Sequence, residues 1–376
     1  MTFVRSAALG LLFLAAAPAA EAGPAPQAVA DMLAAAVAAT GQATLTYAGV
    51  TGSGDTVTLS AVKLASTDGG DVVSVPSLVV SGVADRQPGG FTASGIAFDG
   101  GSATARGETA KWTTGSLAGV VIPTPDEIKG HGKFRPFKAV AMSALALSGT
   151  DIATPVVAAS FAANIGDVVD GAPSTILVHV TGVKVPMELA ANTLAGTLVG
   201  LLDYKTLLAD VTMDSAYDTA AHTAAINALT IDIADVGKIT IAGKASGFSV
   251  RALADSQHSA DARAAAQLDA LSVRLDNAGF VERLLDMQAK MLGGTRDDVR
   301  AQLVDGALPF ALSFVDNAAF RDQFLAAVTV FLKDPHSLTI TFAPAKPVPL
   351  GQVMRAAAHR PGTLPDLLTP TVEANN

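Results

Sequence analysis

Few residue patterns in this chain could carry chemistry. Ser60-Ala61-Val62-Lys63 has the Ser-x-x-Lys spacing of acylating serine enzymes, where a Ser at a helix start gives its proton to a Lys one turn later. Here the Ser falls in a run with the two-residue period of a strand, in which positions i and i+3 face opposite sides. Neither Ser-Asp-Asn nor Lys-Thr-Gly follows, so the match reads as coincidence. The six histidines are His131, His179, His222, His258, His336 and His359. No two lie three or four residues apart and no His-Glu-x-x-His occurs, so no helical metal pair is expected. His131, beside Lys133 and Arg135, reads as a solvated loop residue. There is no Gly-x-Ser-x-Gly nucleophile elbow. The glycines around Gly52 complete neither a dinucleotide fingerprint nor a phosphate loop. Asp151, Asp167 and Asp170 are spaced like turn residues. No catalytic, cofactor-binding or metal residue is therefore assigned, no cofactor is expected, and the expectation is a protein that is not an enzyme.

The N-terminus reads as an address. Arg5 supplies a positive start, Ala7 to Pro18 a short apolar core, and Ala20-Glu21-Ala22 the small residues of a cleavage site before Gly23. The apolar run is too short for a ~30 Å hydrocarbon layer, which needs about 20 residues. A cleaved secretory signal over residues 1–22 is expected, with an uncleaved anchor as the alternative. The chain has no cysteine, which excludes disulfides, thiol nucleophiles, thiolate metal sites and a lipid-anchored N-terminal Cys. An exported, Cys-free, Ala-rich chain fits a bacterial periplasm.

Half of the residues are hydrophobic and 16% are charged. That excludes general disorder and leaves enough apolar material for a core held by burial alone. The net charge of −9, without a Lys/Arg cluster, argues against nucleic acid as a partner and against electrostatic attraction to an anionic membrane surface. Trp112 is the only Trp, and Tyr47, Tyr204 and Tyr217 are the only Tyr, which disfavours sugar stacking. The scarcity of aromatics and the helical block near the C-terminus also disfavour an outer-membrane barrel.

The elements follow from periodicity. Ala28 to Ala39 is helix-forming and is ended by Gly41. From Ala43 onward the period is two: Leu45 and Tyr47 alternate with Thr44 and Thr46, and Val57, Leu59 and Ala61 alternate with Thr56, Thr58 and Ser60. Turn clusters at Gly52-Ser53-Gly54-Asp55, Asp68-Gly69-Gly70-Asp71, Pro88-Gly89-Gly90 and Asp99-Gly100-Gly101 leave no room for crossover helices, so the strands should form an antiparallel meander. Pro123 to Pro136 interrupts it as a loop or crossing. Strands resume near Ala139 to Leu147 and Thr175 to Val180, and Leu189 to Leu202 suggests a short helix. Leu207, Ala209, Val211 and Met213, then Leu229, Ile231 and Ile233, Ile239 and Ile241, and Leu271, Val273 and Leu275 continue the alternation. From Asn277 the period becomes helical. Phe280, Leu284, Met287 and Met291 form one stripe, Thr295 with Asp298 a capping box, and Phe320, Phe324, Val328 and Phe331 a second stripe after the Asp316-Asn317 cap. Both stripes are expected to dock helices on the sheet; lining a lipid pocket is the alternative. Asp276-Asn277 and Asp316-Asn317, at a 40-residue offset, read as two N-caps. Leu338, Ile340 and Phe342 return to strand.

The run Leu202-Asp203-Tyr204-Lys205 leading into Val211-Thr212-Met213-Asp214, and the hairpin Ile231 to Ile241, resemble uncharacterised exported alphaproteobacterial envelope proteins. More distantly, over about residues 140–345, they resemble the AsmA-like and YdgA-like β-rich periplasmic proteins. That resemblance implies a long twisted sheet in the cell envelope with a role in lipid handling or outer-membrane upkeep, and it transfers no functional residue. The expected fold is α+β: a long antiparallel meander, twisted or curved, with a short N-terminal helix and a C-terminal cluster of about three helices. The expected divisions are a signal over 1–22, a helix and first meander over 23–135, a second β-rich region over 136–345 with helices at 277–333, and a Pro-rich polar tail over 346–376. The leading functional expectation is a non-enzymatic periplasmic protein that binds or shields an apolar ligand, a lipid above all, on one sheet face, through residues left unassigned. The alternative is a structural or adaptor protein that docks an envelope protein partner, and an enzyme of undetected type stands third.

Overall fold

The computed structural model describes residues 23–130, 135–150, 152–169, 172–190, 200–247 and 265–376. The expected signal over 1–22 lies outside them, as do His131, Asp151, Asp170, His258 and most of the helix expected over 189–202. Helix α1 (Pro26–Ala39) leads into β1 (Ala43–Thr46), β2 (Gly49–Ser53), β3 (Thr56–Ser66), β4 (Asp71–Ser81), β5 (Ala84–Asp85), β6 (Phe91–Ala105) and β7 (Glu108–Ile122). Then come α2 (Pro125–Lys129), β8 (Ala139–Gly149), β9 (Ile152–Ile165), a small pair formed by β10 (Val168–Val169) and β11 (Ala172–Pro173), β12 (Thr175–Pro186) and α3 (Met187–Ala190). β13 (Thr206–Asp218), β14 (Thr223–Ile233), β15 (Gly237–Ser246) and β16 (Gln267–Asn277) precede the helical block. That block is α4 (Phe280–Leu292), α5 (Arg296–Gln302), a π-helical stretch (Leu303–Ala307), α6 (Leu308–Leu312) and α7 (Ala318–Lys333). The chain closes with β17 (Ser337–Phe342), β18 (Val348–Pro349), α8 (Leu350–His359), a 3-10 turn (Pro361–Thr363), α9 (Leu364–Leu368) and β19 (Pro370–Ala374).

The expected meander is present. Apart from the β10–β11 pair, every described strand belongs to one 17-stranded sheet, and every pairing is antiparallel. From β3 the sheet runs through β4, β6, β7, β8, β9, β12, β13, β14, β15 and β16 to β17 and β19. β1 and β2 pair with successive halves of β3. Among the described residues nothing joins that edge to β19, so the sheet is open. Such a meander follows from local turns, because each strand can pair with the one just made.

One feature bends the sheet. Ala61, Pro76, Gly100, Thr113, Ala144, Ala159 and Gly182 lie directly opposite one another on seven neighbouring strands, and none takes part in the ladder there. On alternate strands the row is left-handed: φ is 48° at Ala61, 68° at Gly100, 48° at Ala144 and 61° at Gly182. Each strand thus carries one extra residue at the same level, and its inward and outward positions exchange there. The expected inward Ala61 is accordingly exposed, and Val62 takes the core place, with Lys63 pointing out. The pucker also moves Ser60 and Lys63 to the same polar face. They do not form a helical Ser–Lys pair, since the chain there is strand and the Ser60 hydroxyl donates to the Gly49 carbonyl at 3.4 Å.

The two ends of the sheet are sealed on the same face. Val29, Ala30 and Leu33 of α1 bury against Val57, Leu59, Val80, Phe91 and Val120, at the i, i+1, i+4 spacing of an amphipathic stripe. Gly115 leaves room for the Phe98 ring across the ladder, where a Cβ would collide with it, and Phe98 meets Trp112 edge-on. At the other end Val281, Leu285 and Ala289 of α4, Val299 of α5 and Phe331 of α7 pack on Leu275, Leu338 and Ala374. The α4 stripe is rotated from the expected one: Leu284 and Met287 are half-buried and Met291 is exposed. The apolar arc is wide enough for either line, and packing on the sheet selects its middle. The Thr295–Asp298 capping box is present, and Asn317 caps α7 by accepting from Phe320 N at 2.8 Å. At α4 the N-cap is Gly279 at φ 106°, and Asn277 caps from two residues further out, accepting from Val281 N at 3.1 Å.

Two segments are more ordered than their composition suggests. In 123–130, Thr124 and Glu127 form a capping box that starts α2, and both terminal guanidinium nitrogens of Arg86 reach Glu127, at 2.7 and 2.8 Å. In 346–376, β18, α8, α9 and β19 follow one another, because β19 finds the free edge of β17.

The pucker and the Arg86–Glu127 contact can each be tested. Ala144 is exposed and left-handed. Ala144→Gly should therefore raise the unfolding free energy by about 0.5–1 kcal/mol, because the relieved strain of roughly 1–2 kcal/mol exceeds the entropic cost of glycine. Ala97→Gly, at an exposed ladder position of β6, should lose a similar amount, and urea titration of both variants reads the difference. At the second contact, hydrogen bonds from Arg86 and from Thr124 hold the Glu127 carboxyl down from its ordinary 4.5 to about 2. A depressed carboxylate stabilises the fold above pH 4.5 and ceases to do so as pH falls toward 2. Arg86→Gln should lower the melting temperature at pH 7, and the gap to the parent protein should close between pH 4.5 and 2.

Candidate functional site

Directly opposed residues of an antiparallel ladder point to the same side, so the registers divide the sheet into two faces. One carries Val140, Met142, Phe161, Val178, Val180, Val211, Met213, Leu229, Ile231, Ile239 and Ile241 in its central part. The other carries Ser143, Ser160, His179, Thr181, Thr212, Thr230 and Lys238. On this polar side hydroxyls pair across strands: Thr114 with Ser143 at 2.5 Å and Ser160 with Thr181 at 2.6 Å. Such pairs add a few tenths of a kcal/mol each to sheet cohesion.

The apolar side is the same one that α1 seals at one end and α4, α5 and α7 seal at the other. Between these covers, from β8 to β15, its side chains are half-buried. Among the described residues of these six long strands, Ala163 alone lies in the buried apolar core, whereas Leu147, Ile226 and Ile239 are 36, 39 and 38% exposed. A chain that buries Leu59 and Leu285 almost completely leaves this central stretch in partial contact with solvent.

The stretch deepens at one end of β12 to β16. Ile176, Tyr217, Ile226, Leu268 and Leu271 line a cavity of about 450 Å³, with Thr175, Ser215 and Lys244 among its few polar walls. The Ser215 hydroxyl donates to the Ile176 carbonyl at 3.3 Å, so that polar group is already occupied within the sheet. What remains is an apolar concavity of the size of small-molecule sites. It is not legible as a site in the sequence, because it is built mainly from residues of five strands whose assembly depends on register.

Among the described residues, the chemistry-bearing ones singled out in the sequence do not converge on it. His179 is exposed on the polar face, His222 sits at φ 51° in the turn after β13, His336 Nε2 lies 3.1 Å from Asp334 Oδ1, and His359 ends α8. Asp167 pairs with Arg135 at 3.2 Å. Among the described residues no group of three or more His, Asp or Glu is placed to hold a metal ion. The Phe and Met stripes do not line the cavity. Tyr204, in the run that leads into β13, acts as a clasp: its hydroxyl donates to the Asp235 carbonyl at 2.7 Å and Arg283 of α4 stacks 4.7 Å over its ring. Burial there pushes the phenol pKa up.

Residues 230–375 match a family model whose description is "Uncharacterized protein"; the matched stretch runs from within β14 to β19 and includes the whole C-terminal cover. No curated protein matches the chain. No helix among the described residues is long and apolar enough to cross a membrane.

The contrast between sealed and open parts of the same face is measurable. Leu285→Ala should lose about 2–5 kcal/mol of stability, as buried leucines do, and Ile239→Ala less than about 1.5 kcal/mol, since much of its surface is already wet. Chemical denaturation of the two variants makes the comparison.

Proposed function

We propose that the protein is a non-enzymatic component of the bacterial envelope that holds a lipid acyl chain against the uncovered part of its apolar face. The observation that carries this reading is the continuity of that face across β8, β9, β12, β13, β14 and β15 without a helical cover among the described residues. Exposed apolar patches beyond a few hundred Å² are rare on soluble proteins and mark binding surfaces. Six strands about 4.8 Å apart span roughly 24 Å, more than the ~15 Å that an acyl chain covers in one leaflet. The cavity beside Ile226 and Leu271 gives such a chain a place to end. Its walls are mostly apolar, which suits a hydrocarbon and not a sugar or nucleotide. A periplasmic address, expected from residues 1–22, would put the protein between two membranes that supply such a ligand.

Organic extraction of the purified protein followed by mass spectrometry should recover lipid, and the delipidated protein should bind dansyl-undecanoic acid. Ile226→Asp, which places a charge in the cavity wall, should weaken that binding at least about tenfold, equivalent to about 1.4 kcal/mol. Lys184→Ala on the polar face should leave it unchanged. A protein that is clean on extraction and ignores the probe would sink the reading.

A further inference from the structure

The helical region near the C-terminus carries the most exposed large apolar side chains of the described residues. Phe310 and Phe314 are 70 and 68% exposed and stack edge-to-face with ring centres 5.6 Å apart. A pair of aromatic rings turned outward loses the burial that would ordinarily reward it. The loop after α6 is fixed against the turn that follows α8: Asp316 N donates to the Gly362 carbonyl at 3.0 Å, and a Cβ on Gly362 would run into the Phe314 carbonyl.

Helix α8 has no buried residue. Leu350, Val353, Met354 and Ala357 fall on one arc of its wheel and Arg355 beside them; Met354 is 72% exposed. The helix contains no acid, and neither Arg355 nor Arg360 forms an ion pair among the described residues. Asp366, the acid nearest to Arg360 in sequence, is engaged by Asn317 Nδ2 at 2.6 Å. At its other end α8 begins beside the cavity: Leu350 N donates to the Ala266 carbonyl at 2.9 Å, and Val348 pairs with the cavity residue Leu268.

We propose that Phe310, Phe314 and Met354, flanked by Arg355 and Arg360, form a docking surface for an anionic lipid bilayer. Outward aromatic and Met side chains next to unpaired arginines are the chemistry of a segment lying in a membrane interface: rings enter the headgroup boundary and guanidinium groups stay among phosphates. The two arginines supply the charge complementarity, on a chain whose net charge is −9 and which would otherwise be repelled. The surface stands independently of the acyl-chain reading.

The test is co-sedimentation of the full chain with extruded vesicles of phosphatidylglycerol and phosphatidylethanolamine, and with vesicles of phosphatidylcholine alone. The protein should bind the first at least tenfold more tightly than the second. Phe310→Ser with Phe314→Ser should reduce binding to the anionic vesicles tenfold or more while circular dichroism stays unchanged, since neither ring supports the core. Arg355→Gln with Arg360→Gln should abolish the preference for the anionic vesicles. Ile226→Asp should sediment like the parent, so a failed acyl-chain site and a failed docking surface give different results. Absence of vesicle binding, equal binding by the double Phe variant, or a Phe-dependent dimer in sedimentation velocity without vesicle binding would each overturn the proposal.

Discussion

In a sheet, the side-chain period of two ties every strand to its neighbours: a single extra residue in one strand would turn the rest of that strand inside out relative to the next. This chain meets the constraint collectively. The row from Ala61 to Gly182 inserts its extra residue in seven adjacent strands at one level, and the registers directly on either side of the row agree from β3 to β12. Ser60, Ser77, Asp99, Thr114, Ser143, Ser160 and Thr181 consequently remain together on one face, next to the row. Val62, Val75, Gly101, Trp112, Leu145, Ala158 and Val183 remain together on the other. The sheet can bend there, as bulged strands do, without mixing its polar and apolar sides. A left-handed alanine at positions 61 and 144 is the local strain that accompanies this arrangement.

Preserving the faces over so many strands creates more apolar surface than the helices among the described residues cover. The four helices that seal the ends place their buried residues on the same side, yet their reach stops at the outer strands. Half-buried Val, Ile and Met side chains in the middle give the protein hydrophobic material whose burial is incomplete, and a ligand that completes it gains about 25 cal/mol for each Å² removed from water. Core burial and partial exposure thereby fall on different parts of one surface: the ends carry the core residues, and the centre stays half-buried.

The alternation of apolar and hydroxyl residues is enough to read the meander, and the helical periods and caps are enough to place the helical block. The same patterns misplace Ala61, because a left-handed residue inside a strand leaves no trace in an Ala-Val-Lys sequence, while Gly100 and Gly182 could equally be turn glycines. They also choose the wrong centre for the α4 stripe, since Leu284, Leu285 and Met287 are all acceptable inward residues until the sheet fixes the angle. The segment 346–376 reads as a tail because Pro347, Pro349, Pro361, Pro365 and Pro370 break it into pieces too short for periodicity to register. Its order comes from non-local pairing with β16 and β17. The cavity is illegible for the same reason, being a property of which strands meet.

An open sheet with an exposed apolar face also has two edges, and unprotected edges pair with other chains. Here the first edge is split into β1 and β2 where β3 puckers at Ala61, so no long straight strand is offered, and Pro26 at the start of α1 closes on Gly52 so tightly that a Cβ there would collide. The last edge, β19, is five residues long, opens with Pro370, which lacks a donor, and carries Glu373. Both devices limit growth of the sheet by strand addition while leaving its face accessible. The distinction matters physically, because strand addition depends on backbone hydrogen bonds and any chain could satisfy it, whereas occupation of the face depends on apolar side chains and selects for hydrocarbon. On the proposed lipid-holding reading, the blunted edges and the half-buried face together favour a small apolar occupant over another polypeptide strand.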